Sequence, residues 1–230
     1  MKKFLNLSAW FVAGGAFLTL AGCSEDETTT PPAPQTARVM VVHASPDAPP
    51  VDLYVDDVKV NQTPLSFPNA TAYLTVPAGT RNVKVKVGGD TVTVLNQTLP
   101  VAAGSVSTVF AADSVAQLKT LLLADNLAAP AAGKAHVRFV HLSPNADTVD
   151  VAVTGGPVLF AGQGFLEYSA FTPVDAGTYD LEVRLAGSAT PVLALNGVAL
   201  APGKIYTVWA RGFVGGVGPQ ALGAQIIVNN

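Results

Sequence analysis

The sequence contains a long internal repeat, so its fold must be one that the chain can build twice. The segment His43–Asp52 recurs as His141–Asp150 at an offset of 98 residues. From residue 38 onward, 17 of 50 ungapped positions are identical to their counterparts. A match of this length predicts two copies of one domain, at residues 37–127 and 134–230.

Each copy carries the sequence pattern of β-strands. Val83–Val87 alternates valine with lysine, and Leu181–Leu185 keeps this alternation with charges of both signs. A period of two predicts strands with one face toward a core. Leu118–Asp125 has helical propensity, but its counterpart Leu222–Asn229 contains adjacent isoleucines and a valine, so we expect both to be the last strand.

The frequent turn signals predict an all-β protein. With short strands separated by Gly- and Pro-rich turns, the chain is expected to form two tandem Ig-like β-sandwich domains of about seven strands each. The Ala- and Pro-rich segment 128–133 is the predicted hinge between them.

The composition excludes several other classes of protein. With 13 Lys+Arg against 16 Asp+Glu, the net charge is −3, whereas nucleic-acid binders usually carry an excess of basic residues. One cysteine cannot form an internal disulfide framework. At 13% charged residues, the chain is too poor in Glu, Lys and Arg for a long coiled coil.

Residues 1–22 have the features of a secretory signal peptide. Two lysines follow Met1, and Leu7–Leu20 is uncharged. As a helix this apolar segment would span about 21 Å, less than the roughly 30 Å of a bilayer core. It ends in Leu20–Cys23 (LAGC), which matches the bacterial lipobox. We therefore expect cleavage before Cys23 and acyl chains on its thiol.

Residues 23–36 are expected to form a flexible tether after the lipidated cysteine. Residues 28–36 are rich in Pro and Thr and predict an extended spacer. Ser24–Glu27 (SEDE) resembles the export signal of some surface lipoproteins, and the alternative is a solvated acidic segment. We expect an outer-membrane lipoprotein, bound to the membrane through Cys23, that faces the cell exterior or, alternatively, the periplasm.

The repeated motif supplies the candidate site residues. It reads His-x-Ser-Pro-x-Ala-x-x-Val-Asp in both copies, and its polar members are His43, Ser45, Asp47, Asp52, His141, Ser143, Asn145 and Asp150. Pro followed by Asp or Asn is typical of a turn between two strands. The first interpretation is structural, with these side chains bonding to backbone groups in a tight corner.

Three functional interpretations of the motif remain open. A hydrolytic Ser–His–Asp site has the right residue types but lacks a strand-to-helix elbow. A metal site could use His43, Asp47 and Asp52, with Asn145 and Asp147 substituting in the second copy. A glycan-binding surface would need exposed aromatic side chains near the motif. No catalytic residue, metal or cofactor is predicted.

Both copies resemble the family named domain of unknown function 4397. The resemblance lies in the strand-plus-motif segments Arg38–Val55 and Val137–Val153, and in the Ala-Gly-Thr turns at 78–80 and 176–178. It implies secreted or lipid-anchored bacterial proteins with a β-sandwich fold and no established activity. We expect a non-enzymatic envelope protein with a binding or structural role, and alternatively a carbohydrate-binding or adhesion module. A glycan or an envelope protein is the expected partner.

Overall fold

The computed structural model describes residues 35–230, which form strands, turns and two single-turn 3-10 helices. The first repeat has the strands β1 (Thr36–Ala44), β2 (Val51–Val55), β3 (Val58–Lys59), β4 (Leu74–Pro77), β5 (Gly79–Val87), β6 (Thr93–Val101), β7 (Val106–Ala112) and β8 (Lys119–Ala124). The second has β9 (Lys134–His141), β10 (Val149–Val153), β11 (Val158–Gln163), β12 (Thr172–Asp175), β13 (Gly177–Leu185), β14 (Pro191–Leu200), β15 (Ile205–Arg211) and β16 (Gly223–Val228).

The 3-10 helices are Val115–Gln117 and Gly218–Gln220, and within the described part of the chain neither is long or apolar enough to cross a membrane. The predicted signal peptide and the lipidation site Cys23 lie outside the described residues, as does the tether up to residue 34. Residues 128–133, the predicted hinge, carry no strand.

The sixteen strands form four four-stranded sheets, two in each repeat. Outer sheet 1 has the order β3-β2-β5-β6 and inner sheet 1 the order β4-β1-β7-β8. The second repeat copies this arrangement as outer sheet 2 (β11-β10-β13-β14) and inner sheet 2 (β12-β9-β15-β16). The pairs β1–β7 and β9–β15 are parallel, and the other pairs are antiparallel. The prediction of two tandem β-sandwiches is confirmed, with eight strands in each instead of about seven.

The two final strands are also confirmed. β8 pairs antiparallel with β7, and β16 pairs in the same way with β15. The helical propensity of the first segment is overridden because β8 must complete a sheet whose two faces are both covered.

Three hydrophobic cores hold the body together. One lies inside each sandwich, and the third lies between the two inner sheets, where Phe110 of the first repeat and Trp209 of the second are fully buried. Alternate residues of β1 therefore serve different cores, since Val41 faces its own sandwich and Val42 faces the other repeat. Residues 34–230 consequently form one compact unit.

Candidate functional site

The repeated motif forms a corner at the end of the first strand of each repeat. His43 and His141 are buried, and the Nε2 atom of each lies 3.1 Å from a backbone carbonyl oxygen, that of Pro49 and that of Asp147. Because a carbonyl only accepts, Nε2 must carry the proton. Burial lowers the pKa of both imidazoles, so both rings are neutral near pH 7.

In the first repeat, the rest of the motif secures the loop that follows β7. Asp47 Oδ1 accepts a hydrogen bond from the amide of Val115 at 2.8 Å. The hydroxyl of Ser45 is fully buried and lies 3.4 Å from the same carboxylate oxygen, which is a long contact for an O–H donor. The first corner is therefore tied to residues far away in sequence mainly through Asp47.

In the second repeat, the equivalent residues secure the loop after β15 more tightly. Ser143 Oγ donates to the carbonyl of Gly212 at 2.6 Å. The Asn145 amide donates to the carbonyl of Val214 at 3.1 Å and accepts from its N–H at 2.8 Å. Asn145 thus makes two hydrogen bonds to the loop after β15, whereas Asp47 makes one to the equivalent loop after β7.

The aspartates that close the motif bind the backbone of neighbouring turns. Asp52 forms an ion pair with Lys59 at 2.8 Å and accepts from the amide of Gly89 at 3.1 Å. These contacts lower the pKa of the Asp52 carboxyl. Asp150 accepts from two glycine amides, at 2.7 Å and 2.9 Å, which lowers its pKa in the same direction. Each carboxylate therefore connects two neighbouring segments of its outer sheet through charge-assisted bonds.

This geometry bears on the functional interpretations of the motif. Neither serine hydroxyl is bonded to an imidazole, since Ser143 donates to backbone and both histidines donate to carbonyls. Among residues 35–230, no three His, Cys, Asp or Glu side chains converge as metal ligands would. The arrangement supports the structural interpretation of the motif, and the absence of enzymatic activity stays a prediction.

A buried polar cluster at the interface of the two repeats was not anticipated from the sequence. It consists of Tyr73, Thr108, Asp125, Arg138, Thr207 and Asn229. The side chains of Arg138 and Asp125 are 3% and 0% exposed and form an ion pair at 2.7 Å. Arg138 also donates from Nε to Thr207, at 2.8 Å. The cluster joins the inner sheets by directional bonds within an apolar interface.

The cluster has approximate twofold symmetry that its central ion pair breaks. Thr108 donates to Asp125 at 2.6 Å, and at the equivalent place Thr207 donates to Asn229 at 2.7 Å. Tyr73 donates to the same carboxylate oxygen as Thr108, Asp125 Oδ2, at 2.7 Å, and burial raises the pKa of Tyr73 to about 12. The hydroxyl therefore stays a donor at any physiological pH.

The interiors of the two sandwiches differ although their folds match. The core cluster of the second sandwich contains thirteen buried apolar residues, and that of the first contains four. In the first sandwich, Val41 and Val83 are partly exposed, whereas their equivalents Phe139 and Leu181 are 0% and 4% exposed. The first sandwich is therefore incompletely filled.

The unfilled space is an apolar cleft between the two sheets of the first repeat, which we call the first-repeat cleft. Its cavity volume is about 50 Å³. Its walls come from seven of the eight strands and include Val41, Leu53, Val83, Leu95, Val109 and Leu122. It is the candidate binding site because it is an apolar concavity with a few polar side chains among its walls.

Near the motif corners one aromatic side chain, Tyr168, is 52% exposed, and Tyr54 and Phe67 are covered in part. Tyr54 is partly buried, and the ammonium group of Lys86 lies 4.6 Å from its ring centroid. Phe67 lies at the interface of the repeats, edge-on to Trp209 at 6.4 Å between centroids. These positions give no specific support for the glycan-binding interpretation.

Comparisons with known proteins identify the family and not the ligand. No curated protein gives a significant match to the chain. Among solved structures, the family 26 carbohydrate-binding module CBMbc of Eubacterium rectale Amy13K, solved with maltoheptaose, shares 11% identity. That match covers 83% of this chain and 96% of the module, with a TM-score of 0.25, which is too low to align ligand sites.

The family comparison agrees with the duplication and with the motif corners. The family model described as "Domain of unknown function (DUF4397)" matches the chain twice, at residues 37–152 and 144–229. The two matches together span nearly all of the described body. The first includes both motif segments, and the second begins within the second motif, at Pro144. The chain therefore belongs to the DUF4397 family, in which it carries two copies of the domain.

Proposed function

We propose that this protein is a lipid-anchored component of the bacterial cell envelope that acts by binding and not by catalysis. Its folded body would be held to the outer membrane by acyl chains on Cys23, at the end of a tether of about a dozen residues. The proposal of a binding role rests on the first-repeat cleft, because the equivalent space in the second repeat is filled by side chains.

The chemistry of the motif corners supports a non-enzymatic role. Most of the side chains that could have formed a reactive site bond to backbone groups, and Ser45 contacts the Asp47 carboxylate. A nucleophile or general base needs a free position facing substrate. These groups instead hold the loops at one end of each sandwich.

The anchoring is supported by the sequence of the export segment. Leu20–Cys23 places the one cysteine of the chain at the lipobox position, and Pro- and Thr-rich residues follow it. Several acyl chains give stable membrane attachment because each buried methylene contributes about 0.8 kcal/mol.

Metabolic labelling with an alkyne-bearing fatty acid tests the anchoring. The full-length chain should incorporate the label and sediment with membranes, and Cys23→Ser should lose the label. The neighbouring change Ser24→Ala is the matched control and should keep it. Equal labelling of Cys23→Ser would reject the lipid anchor.

Protease treatment of intact cells tests the orientation. Digestion of the folded body in intact cells supports exposure to the exterior. Protection until the outer membrane is broken would place the body on the periplasmic face instead. The carbohydrate-binding role predicted as an alternative would be detected by saturable binding to a glycan array.

A further inference from the structure

The first-repeat cleft exists because large side chains of the second repeat are replaced by small ones. Phe139 corresponds to Val41, and Tyr206 corresponds to Ser107. Phe160 pairs with Val151 of β10. In the first repeat the residue equivalent to Val151 is Leu53, and its backbone partner is Val60. Three aromatic rings that fill one sandwich are thus absent from the other.

The rim of the cleft has changed in the same direction. Leu195 and Ala224 of the second repeat correspond to Gln97 and Thr120, which face the first-repeat cleft. Gln97 and Thr120 hydrogen-bond to each other across the gap between β6 and β8, the edge strands of the two facing sheets. The first sandwich therefore has an emptied interior and a polar closure at one edge.

An emptied interior is costly for a domain that only needs to be stable. Cores of folded domains are close-packed, and each missing apolar group loses dispersion and transfer energy. The second repeat demonstrates that this fold can close its interior with aromatic rings. The first repeat instead retains its space, at a cost in stability.

The lining defines the chemistry of the ligand. The walls are valine and leucine from both sheets, and the polar side chains among them are Arg81, Gln97, Ser107 and Thr120, besides Tyr54. The guanidinium of Arg81 is already paired with Asp56 at 2.9 Å. The cleft thus presents no unpaired charge to an ionic headgroup, and a charged group would remain outside in solvent.

The dimensions select among apolar ligands. A cavity of about 50 Å³ is smaller than any of these ligands, so binding requires the lining side chains to move apart. Residues of seven strands from both sheets line the cleft, so the space is thin and spreads between the sheets. An unbranched hydrocarbon chain is the thinnest apolar ligand, and rotamer changes of the lining valines and leucines can widen the path.

From these observations we infer that the first-repeat cleft binds a single acyl chain, which enters between β6 and β8 and leaves its polar headgroup in solvent. The second repeat is a closed copy without this activity. This inference rests on the proposed binding role and names the ligand class for it.

Binding can be measured on residues 24–230, which lack the lipidation cysteine and contain the whole compact unit. The probe is parinaric acid, an unbranched polyene fatty acid that is itself fluorescent, and non-fluorescent fatty acids compete with it. We expect saturable binding of one probe per chain. Affinity of the competitors should rise with length from decanoate to hexadecanoate, by up to about fourfold per methylene. Absence of saturable binding, or affinity independent of chain length, would overturn the inference.

Variants that copy the second repeat locate the site. Val41→Phe and Ser107→Tyr should each weaken probe binding by tenfold or more. Val58→Phe makes the same valine exchange at a position 66% exposed, outside the cleft, and should leave binding unchanged. Unchanged binding in both filled variants, with folding intact by circular dichroism, would reject the cleft as the site.

Photo-crosslinking keeps the inference testable if the filled variants fail to fold. A diazirine-bearing hexadecanoate bound to the unmodified 24–230 chain should label peptides from residues 36–124. Labelling confined to residues 134–230 would contradict the inference. A negative result in these binding assays would not affect the proposed anchoring at Cys23, which is measured on the full-length chain. A negative result in metabolic labelling would not affect acyl binding by the cleft, which is measured on residues 24–230.

Discussion

The ion pair between Arg138 and Asp125 provides the sharpest test of how the two repeats are held together. The substitution Asp125→Asn removes the carboxylate that lies 2.7 Å from the guanidinium. Arg138 is 3% exposed at its side chain, so its charge stays buried without a counter-ion. Breaking a buried pair in this way costs about 3–5 kcal/mol, which lowers the folding equilibrium constant by two to four orders of magnitude.

The chain itself supplies the matched control. In the symmetric half of the cluster, Met40 stands at the position equivalent to Arg138, and Asn229 at the position equivalent to Asp125. The double variant Arg138→Met with Asp125→Asn therefore gives both halves the same neutral pair. Since it removes the charge and its partner together, we expect its stability to lie within about 1.5 kcal/mol of the unmodified protein.

Urea unfolding of residues 24–230 measures both variants. Trp209 is the one tryptophan in this range and is fully buried at the interface of the repeats, so its fluorescence reports their separation. Equal stability of the Asp125→Asn variant and the unmodified protein would refute the reasoning. A double variant as unstable as the single one would refute it too, because the loss could not then be assigned to an unpaired charge.

Two further predictions concern the motif corners. The pKa values of His43 and His141 lie below the 6.5 of an unfolded imidazole, so the unfolded chain binds more protons than the folded chain. The free energy of unfolding should therefore fall as the pH drops below about 6.5, by up to about 1.4 kcal/mol per pH unit for each ring. Denaturant midpoints between pH 7.5 and 5 measure this slope, and an unchanged slope in the His43→Gln, His141→Gln double variant would contradict it. Ser143→Ala should cost about 1–3 kcal/mol, because it leaves the buried carbonyl of Gly212 without its donor. Ser45→Ala should cost under about 0.5 kcal/mol, since its bond is long at 3.4 Å, and equal losses in thermal melts of the two variants would contradict this difference.

Much of the architecture follows from local sequence patterns. The alternation in Val83–Val87 and the matching turns of both copies predict strands, and the duplication extends that prediction to the second domain. The ambiguous segment Leu118–Asp125 could be assigned only by comparison with its counterpart, whose β-branched residues favour a strand. The structural interpretation of the motif follows from turn chemistry, since Pro followed by Asp or Asn is typical of turns.

The pairing of the repeats could not be predicted because one sequence pattern does not show which sheet is covered twice. β1 reads as a nearly continuous apolar run, which fits burial on both faces, but the run alone does not identify the partner. The partner emerges only when Met40, Val42 and Phe110 are seen to face Trp209 across the inner sheets. The burial of Arg138 depends on the same pairing, since its side chain lies at the interface of the repeats.

The cleft was not predicted, because the duplication indicates a shared fold and not how completely each interior is filled. The exchanges Phe139 to Val41 and Tyr206 to Ser107 are visible in the aligned copies. Their meaning depends on which face of the strand each residue occupies, and that requires the register of β1 with β7 and of β9 with β15. Comparing the sizes of core residues between copies is the signal that could have found the site.

Methyl NMR of residues 24–230 during titration with hexadecanoate tests the central claim most directly. The two repeats serve as site and internal control, because their equivalent methyl groups differ mainly in whether a cleft is present. We predict shifts at Val41, Leu95 and Leu122, and none at Val151 or Leu181. Shifts in the second sandwich or on the outer faces, or no shifts at all, would contradict the account.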